Sequence, residues 1–309
     1  MAIGHSAPNP VKSRIATTMG KARILMEAMP YIQAFRGKTV VVKYGGSAMV
    51  DEHLRHSFAG DVTLLSLVGM KVVVVHGGGP QINESLRKAG IESRWVDGLR
   101  ISDAETIKVV QSVLAGEVNP DIVRLLAGHD ARAAGITGID GGLLLARPKD
   151  PRLGFVGEVA RVDPEIIHGM LEHGLVPVIA PLARGIDDGQ VYNLNADTAA
   201  GVLAGELGAE KLVYLTDVEG LYRDAADESS LIQKMSLSEG RDLLESGSVA
   251  GGMLPKLRSC VQAMEAGVRR AHILDGRVQH ALLLEIFTPE GIGTMIRQDT
   301  EGQPSVLFD

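Results

Sequence analysis

Cysteine is almost absent: Cys260 is the only one in 309 residues. That excludes a disulfide framework and a thiolate zinc site, and it suits a reducing, cytoplasmic compartment. Aromatic residues make up only 4% of the chain, too few for a base-stacking surface. Basic side chains are outnumbered 31 to 38, giving a net charge of −7. Nucleic acid and anionic membrane both need clustered positive charge, so neither is expected as the main partner. No apolar run reaches the roughly 18 residues that cross a bilayer; Val62 to Val75 is broken by Ser66, Gly69 and Lys71. No Ser/His/Asp triad and no cluster of metal-ligating side chains is evident.

What is present is a hydrophobic content of 45%, ample for a packed core. The length fits two domains or one large α/β unit. Before Glu27 the chain has no acid, while Lys12, Arg14, Lys21 and Arg23 are basic. That composition is shared by organelle transit peptides and by a short tip leading into an amphipathic helix, and the helix is the reading adopted. From Lys21 the residues Ile24, Leu25, Ala28, Met29, Ile32 and Phe35 follow helical spacing, and Pro30 is expected to kink that helix. Ahead of the first strand it has no core of its own, so it packs back on the domain or meets another subunit.

A rhythm of strand, glycine-rich turn and helix follows. Thr39–Lys43, Val72–Val75, Leu175–Ile179, Leu212–Leu215 and Ala271–Leu274 are nearly continuous apolar runs, each closed by a turn signal. Such runs predict a mainly parallel sheet covered by helices on both faces, with ligands at the carboxyl ends of its strands. Gly141 to Val162 predicts an inserted β-hairpin, and the polar segment Arg223 to Ser230 a solvated loop.

Several strand ends carry chemistry. Lys43-Tyr44-Gly45-Gly46-Ser47 is neither a Walker A loop nor GxGxxG, yet its glycine N–H groups and lysine suit an anion as well as a tight turn. His76-Gly77-Gly78-Gly79-Pro80 has three successive glycines, tolerated mainly where backbone approaches a ligand; His76 itself reads as structural rather than as a base. Arg100 is a candidate carboxylate clamp or an ordinary solvated loop arginine. Asn193 and Asp197 are four apart, on one face if helical, and Asn195 fits a helix N-cap. Gly251-Gly252-Met253-Leu254-Pro255-Lys256 sets a lysine at a helix start.

Taken in order, VKYGGSAM, VHGGGPQI, DGLRIS, YNLNADTAA, LTDVEGLY and GGMLPKL resemble the amino-acid kinase family, over about Arg23 to Met295. Within it they are most similar to the branch that acts on N-acetyl-L-glutamate. The resemblance implies an open αβα sandwich of two lobes. Residues 38–207 would hold the acyl substrate and the dimer contact, residues 208–309 ATP and an arginine site, and residues 1–37 the tip and kinked helix. It implies transfer of the γ-phosphoryl group of ATP, with Mg²⁺ held mainly by phosphates and water, to the side-chain carboxylate of the acceptor. By that resemblance Lys43 and Lys256 would neutralise the phosphoryl group from its two sides, and Asp197 would organise them. Gly78, Gly79, Arg100 and Asn193 would hold the acceptor. Gly45, Gly46, Thr216, Asp217, Gly220, Gly252 and Met253 would line the nucleotide site.

The segments AMPYIQAFRGKTVVVKYGG and AHILDGRVQHALLLEIFTPEGIGTMI resemble those of members inhibited by arginine, which are hexamers assembled as trimers of dimers through such N-terminal helices. Lys211, His272, Glu285 and the backbone near Gly291 would then form the arginine pocket. Some members also dock the nitrogen-signalling protein PII. Two rival readings remain: a kinase for an N-protected aminoadipate in lysine synthesis, and a kinase-like arginine sensor without catalysis. Retention of both lysines and Asp197 speaks against the sensor, and Arg100 with the N-terminal helix against the aminoadipate kinase.

Overall fold

The computed structural model describes residues 10–299 apart from 97, 225, 226, 248, 250–252, 289 and 290; for 10–18 and 228 the backbone alone is described. An eight-stranded sheet forms its centre. Its strand order, from one edge to the other, is Lys234–Ser236, Thr294–Arg297, Arg270–Asp275, Lys211–Thr216, Thr39–Tyr44 (β1), Lys71–His76 (β2), Val176–Ala180 and Ala133–Thr137. All neighbours are parallel except Arg270–Asp275 with Thr294–Arg297. This is the expected mainly parallel sheet with helices on both faces.

Strand alternation decides which core each residue enters. Val40, Val42 and Tyr44 join one cluster with Val72 and Val74; Val41, Val73 and Val75 join another on the opposite face. The first cluster is closed by helices Glu52–Leu67 (α2), Gly79–Lys88 (α3), Asn119–Ala127 and Ala281–Phe287, the second by Ala196–Glu206 and Met253–Glu265. Lys43 therefore shares the face of Val41, and His76 that of Val74.

Three expectations need correction. The N-terminal helix spans Pro10–Phe35, starting well before Lys21, with Pro30 inside it as expected. The amide N–H that proline lacks is one hydrogen bond among many in so long a helix. Among its described side chains the buried ones are Tyr31 and Phe35, near its end; Ile24, Leu25, Met26 and Met29 are exposed, Leu25 to 70%. The hairpin Leu144–Pro148 with Gly157–Val162 is present, but the short strands Leu182–Gly185 and Val191–Asn193 extend it to a four-stranded sheet. Finally, Asn193 ends a strand and the next helix starts at Ala196, so Asn193 and Asp197 do not share a helix face. The polar segment before Ser230 is the connection between two short paired strands, Leu221–Tyr222 and Leu231–Ile232. Among the described residues no helix is long and apolar enough to cross a membrane.

Candidate active site

Lys43 points from the end of β1 toward the helix Ala196–Glu206. That helix is started by Asn195, whose side-chain oxygen accepts the Thr198 N–H at 3.0 Å, as expected of an N-cap. The cap sets Asp197 in the first turn. Its two carboxylate oxygens meet two lysines: Lys43 Nζ at 3.0 Å from one, Lys256 Nζ at 2.9 Å from the other. Lys256 comes from the first turns of Met253–Glu265. The three side chains are 11%, 17% and 7% exposed for Lys43, Lys256 and Asp197. Burial would push the Asp197 carboxyl up; the Lys43 and Lys256 ammonium groups outweigh that and hold it below the ordinary carboxylate range. Two cations around one carboxylate leave an excess positive charge in a nearly dry recess, a place for an anion.

Around this triad lie groups that sequence reading missed. Ser259 and Tyr214 hydroxyls both donate toward the Asp197 carbonyl, at 2.8 and 3.1 Å, and sit 2.6 Å apart. They fix the first turn that carries the carboxylate. Tyr214 lies inside an apolar strand and Ser259 in mid-helix, so neither carries a local signal. The turn after β1 is a 3-10 helix, Gly46–Met49, opened by Gly46 at φ +69°, where only glycine is unstrained. The Ser47 N–H donates to the Asp217 carboxylate at 2.6 Å, which joins Gly45 and Gly46 to the end of strand Lys211–Thr216. Thr216 accepts the Val218 N–H at 3.2 Å. Gly220 packs against Thr294, and Met253 lies half-buried at the second core. Gly252 lies outside the described residues.

The acceptor candidates converge on one cavity of about 170 Å³, lined among others by Gly78, Gly79, Trp95, Arg100, Asn193 and Asn195. Arg100 is buried; its guanidinium donates to Asn83 Oδ1 at 2.7 Å and to Ser93 Oγ, and stacks 4.4 Å from the Trp95 ring centre. These neighbours exclude an ordinary solvated loop arginine: the planar fork is buried and held in place by neutral acceptors. The Asn193 backbone N–H donates to the Phe155 carbonyl at 2.9 Å, fixing that strand end over the cavity.

At the other end of the sheet, Lys211 Nζ is 3.3 Å from His272 Nε2, and His272 Nδ1 is 2.6 Å from Glu285 Oε1. The Ile292 N–H donates to the second Glu285 oxygen at 2.8 Å, beside Gly291, and Lys211 lies 4.8 Å over the Phe35 ring. Burial, helped by Lys211, pushes His272 down to about 4, so the neutral ring links an ammonium to a carboxylate. All the residues expected here meet.

The chain belongs to the amino acid kinase family, whose model matches residues 38–275. Within that family it belongs with the acetylglutamate kinases. It is 50% identical to the acetylglutamate kinase of Caldanaerobacter subterraneus over 290 residues, 93% of this chain and 97% of that one. It is 51% identical to that of Nostoc over 277 residues, 89% and 93% of the two chains. Among solved structures, N-acetylglutamate synthase from Neisseria gonorrhoeae, complexed with coenzyme A and N-acetyl-glutamate, superposes with TM-score 0.79 at 30% identity. The match covers 90% of this chain and 63% of the synthase, so the chain spans less than two thirds of that protein. Carbamate kinase from Giardia lamblia bound to AMP-PNP shares the fold, with TM-score 0.62 at 20% identity over 85% of this chain and 99% of that one.

Proposed function

We propose that this kinase transfers the γ-phosphoryl group of ATP to the side-chain carboxylate of N-acetyl-L-glutamate, giving N-acetyl-L-glutamyl 5-phosphate and ADP. The observation that carries the reading is the Lys43–Asp197–Lys256 cluster at the carboxyl ends of the strands. A carboxylate nucleophile has a reference pKa of about 4.3 and is already ionised at neutral pH, so no general base is needed. Catalysis then rests on in-line placement and on neutralising the phosphoryl oxygens. Lys43 acts on the attacking side, Lys256 on the leaving side, and Asp197 holds both ammonium groups at fixed distance. Gly45 and Gly46 offer N–H groups to the phosphates; Thr216, Asp217, Gly220, Gly252 and Met253 border the nucleotide.

In the acceptor cavity Gly78 and Gly79 N–H groups hold the reacting carboxylate, Arg100 clamps the α-carboxylate, and Asn193 reads the acetylated nitrogen. The triad's single carboxylate is engaged by two lysines, so Mg²⁺ enters as part of the MgATP substrate, on phosphates and water. The lobe 38–207 thus carries the acceptor and the lobe 208–309 the nucleotide.

Arginine is the proposed inhibitor, bound where Lys211, His272, Glu285 and Gly291 meet beneath the end of the N-terminal helix. The exposed Ile24, Leu25, Met26 and Met29 support burial of that helix against further copies of the chain, in a hexamer. ADP release with N-acetyl-L-glutamate, with free glutamate as control and with arginine titrated in, tests all of this. Turnover on the acetylated acceptor alone, suppressed by arginine, is expected. No turnover in the presence of Mg²⁺ overturns the kinase reading, and indifference to millimolar arginine overturns the inhibition. Leu25→Asp is expected to lower the mass of the assembly in sedimentation.

A further inference from the structure

His76 is fully buried at the end of β2, and its ring is held on both sides. Nδ1 lies 2.8 Å from the carbonyl oxygen of the next residue, Gly77. Nε2 lies 3.1 Å from Nδ2 of Asn119, the first residue of the helix that packs beneath. A carbonyl oxygen only accepts, so Nδ1 carries the proton; Nε2 is then the acceptor that the Asn119 amide needs. Burial lowers the histidine to about 4 and keeps the ring neutral, in agreement with that tautomer.

Asn119 is placed with some care. A single π-helical turn, Leu114–Val118, precedes it and displaces it from the regular helical path. Its Nδ2 also donates to the Val178 carbonyl at 2.9 Å, across the sheet. Gly135 on the edge strand has no side chain, and a Cβ there would overlap Asn119 Oδ1. Any larger residue would push the amide away from His76.

The Gly77 N–H donates to the Tyr44 carbonyl at 2.9 Å, so residue 77 is held at both its amide and its carbonyl. In a trans peptide the C=O of one residue and the N–H of the next point in opposite directions. With the Gly77 carbonyl drawn toward His76 in the core, the Gly78 N–H is turned away from it, to the side where Gly77, Gly78 and Gly79 line the acceptor cavity. Among the described residues neither the Gly78 nor the Gly79 N–H has a protein acceptor.

We infer that His76 and Asn119 are positioning residues, which lock the Gly77–Gly78 peptide so that its N–H is ready for the acceptor carboxylate. This rests on the acceptor site proposed above. His76 touches no substrate; it acts through the peptide it holds. Without it the peptide is free to turn, and the cavity loses an aimed donor while the lysines and the nucleotide segments are untouched.

The test compares wild type with His76→Phe, which fills the same space without a donor, and His76→Asn, whose amide keeps a donor near the Nδ1 position. ¹⁵N spectra of the wild-type histidines report the tautomer. The expected result is an Nδ1–H tautomer for His76 and, in His76→Phe, a KM for N-acetyl-L-glutamate raised about tenfold, the loss of one aimed hydrogen bond. The KM for ATP is expected to stay near wild type, and His76→Asn to recover most of the loss. An Nε2–H tautomer, an unchanged acceptor KM, or an equal rise for both substrates overturns the inference. Should His76→Phe not fold, the wild-type tautomer decides: Nδ1–H supports the inference and Nε2–H overturns it. Inactivity of the wild type on N-acetyl-L-glutamate would instead strike the proposed function, and the tautomer would still test the network.

Discussion

Two buried clusters, each with a lysine and a carboxylate, lie on opposite faces and near opposite ends of the strand Lys211–Thr216. The Lys43–Asp197–Lys256 cluster is on the side of Leu212 and Tyr214, at the carboxyl ends. The Lys211–His272–Glu285 cluster is on the side of Val213 and Leu215, at the amino end. Their charge balance differs. The first has two cations to one anion and is completed only by an added anion, as a phosphoryl donor would supply. In the second a neutral imidazole lies between one ammonium and one carboxylate, and a backbone N–H takes the remaining carboxylate oxygen. A ligand there has to replace internal contacts that already exist. The lesson is that burying ionisable groups does not by itself define a reactive site; an uncompensated charge does.

The sharpest way to break the comparison is to remove charge from the first cluster. Lys43→Met or Lys256→Met is expected to lower kcat by at least about 10²–10³-fold, the scale of losing a group aimed at transition-state charge. Steady-state ADP release checks it, with circular dichroism to confirm the fold. A loss below tenfold in both variants would mean that the excess charge is not what drives transfer.

Acid should probe the buried histidines next. His76 and His272 each titrate near 6.5 when unfolded and are pushed down to about 4 by burial in the fold. Between those values the unfolded chain binds protons that the folded chain refuses, so stability falls as pH drops from about 6.5 toward 4. For His76 alone the full shift is worth about 3 kcal/mol. Asp61 works in the other direction: burial pushes its carboxyl up to about 6, so that site gains as the pH falls. Urea midpoints at pH 7.5 and 4.5 should therefore drop more for wild type than for His76→Phe.

Glu285→Gln sharpens the second half of the comparison. Losing the charge that would face a guanidinium should raise the arginine concentration for half-inhibition by about tenfold or more. An unchanged inhibition curve would leave the second cluster as structure only. The smallest effect is expected for Arg100→Lys, about a tenfold rise in the KM for N-acetyl-L-glutamate, because a point charge cannot reproduce the planar fork held by Asn83 and Trp95.

Much of this was legible in the sequence. The central strands were plain because a strand buried on both faces must be apolar at nearly every position, as in Val72–Val75. Three strands at or next to the edges, Ala133–Thr137, Lys234–Ser236 and Thr294–Arg297, carry weaker signals and were not predicted, since the margins of a sheet need less apolar surface. The short strands Leu182–Gly185 and Val191–Asn193 are interrupted by Gly189 and two aspartates, and pair only because the fold brings them beside Leu144–Pro148. At the site, the glycine turns, Lys43, Arg100, Asp197 and Lys256 stood out as unusual residues at strand or helix ends. Ser259, Tyr214, Asn83, Ser93, Asn119 and Gly135 did not, because each is ordinary in its own segment.

By itself, the sequence determined the parallel sheet, the places where it would present glycine N–H groups and lysines, and the family to which those motifs belong. Local pattern suffices for that, because alternation and turn chemistry act over a few residues. Tertiary structure decided the distances at which Lys43 and Lys256, more than two hundred residues apart, meet the carboxylate that the resemblance had assigned to both, and that Lys211 faces the opposite core from Tyr214. It also decided that an asparagine from one helix fixes a histidine ring beneath the glycine turn. Distances between segments remote in the chain are set by packing, and charges interact across those distances whatever their separation in sequence.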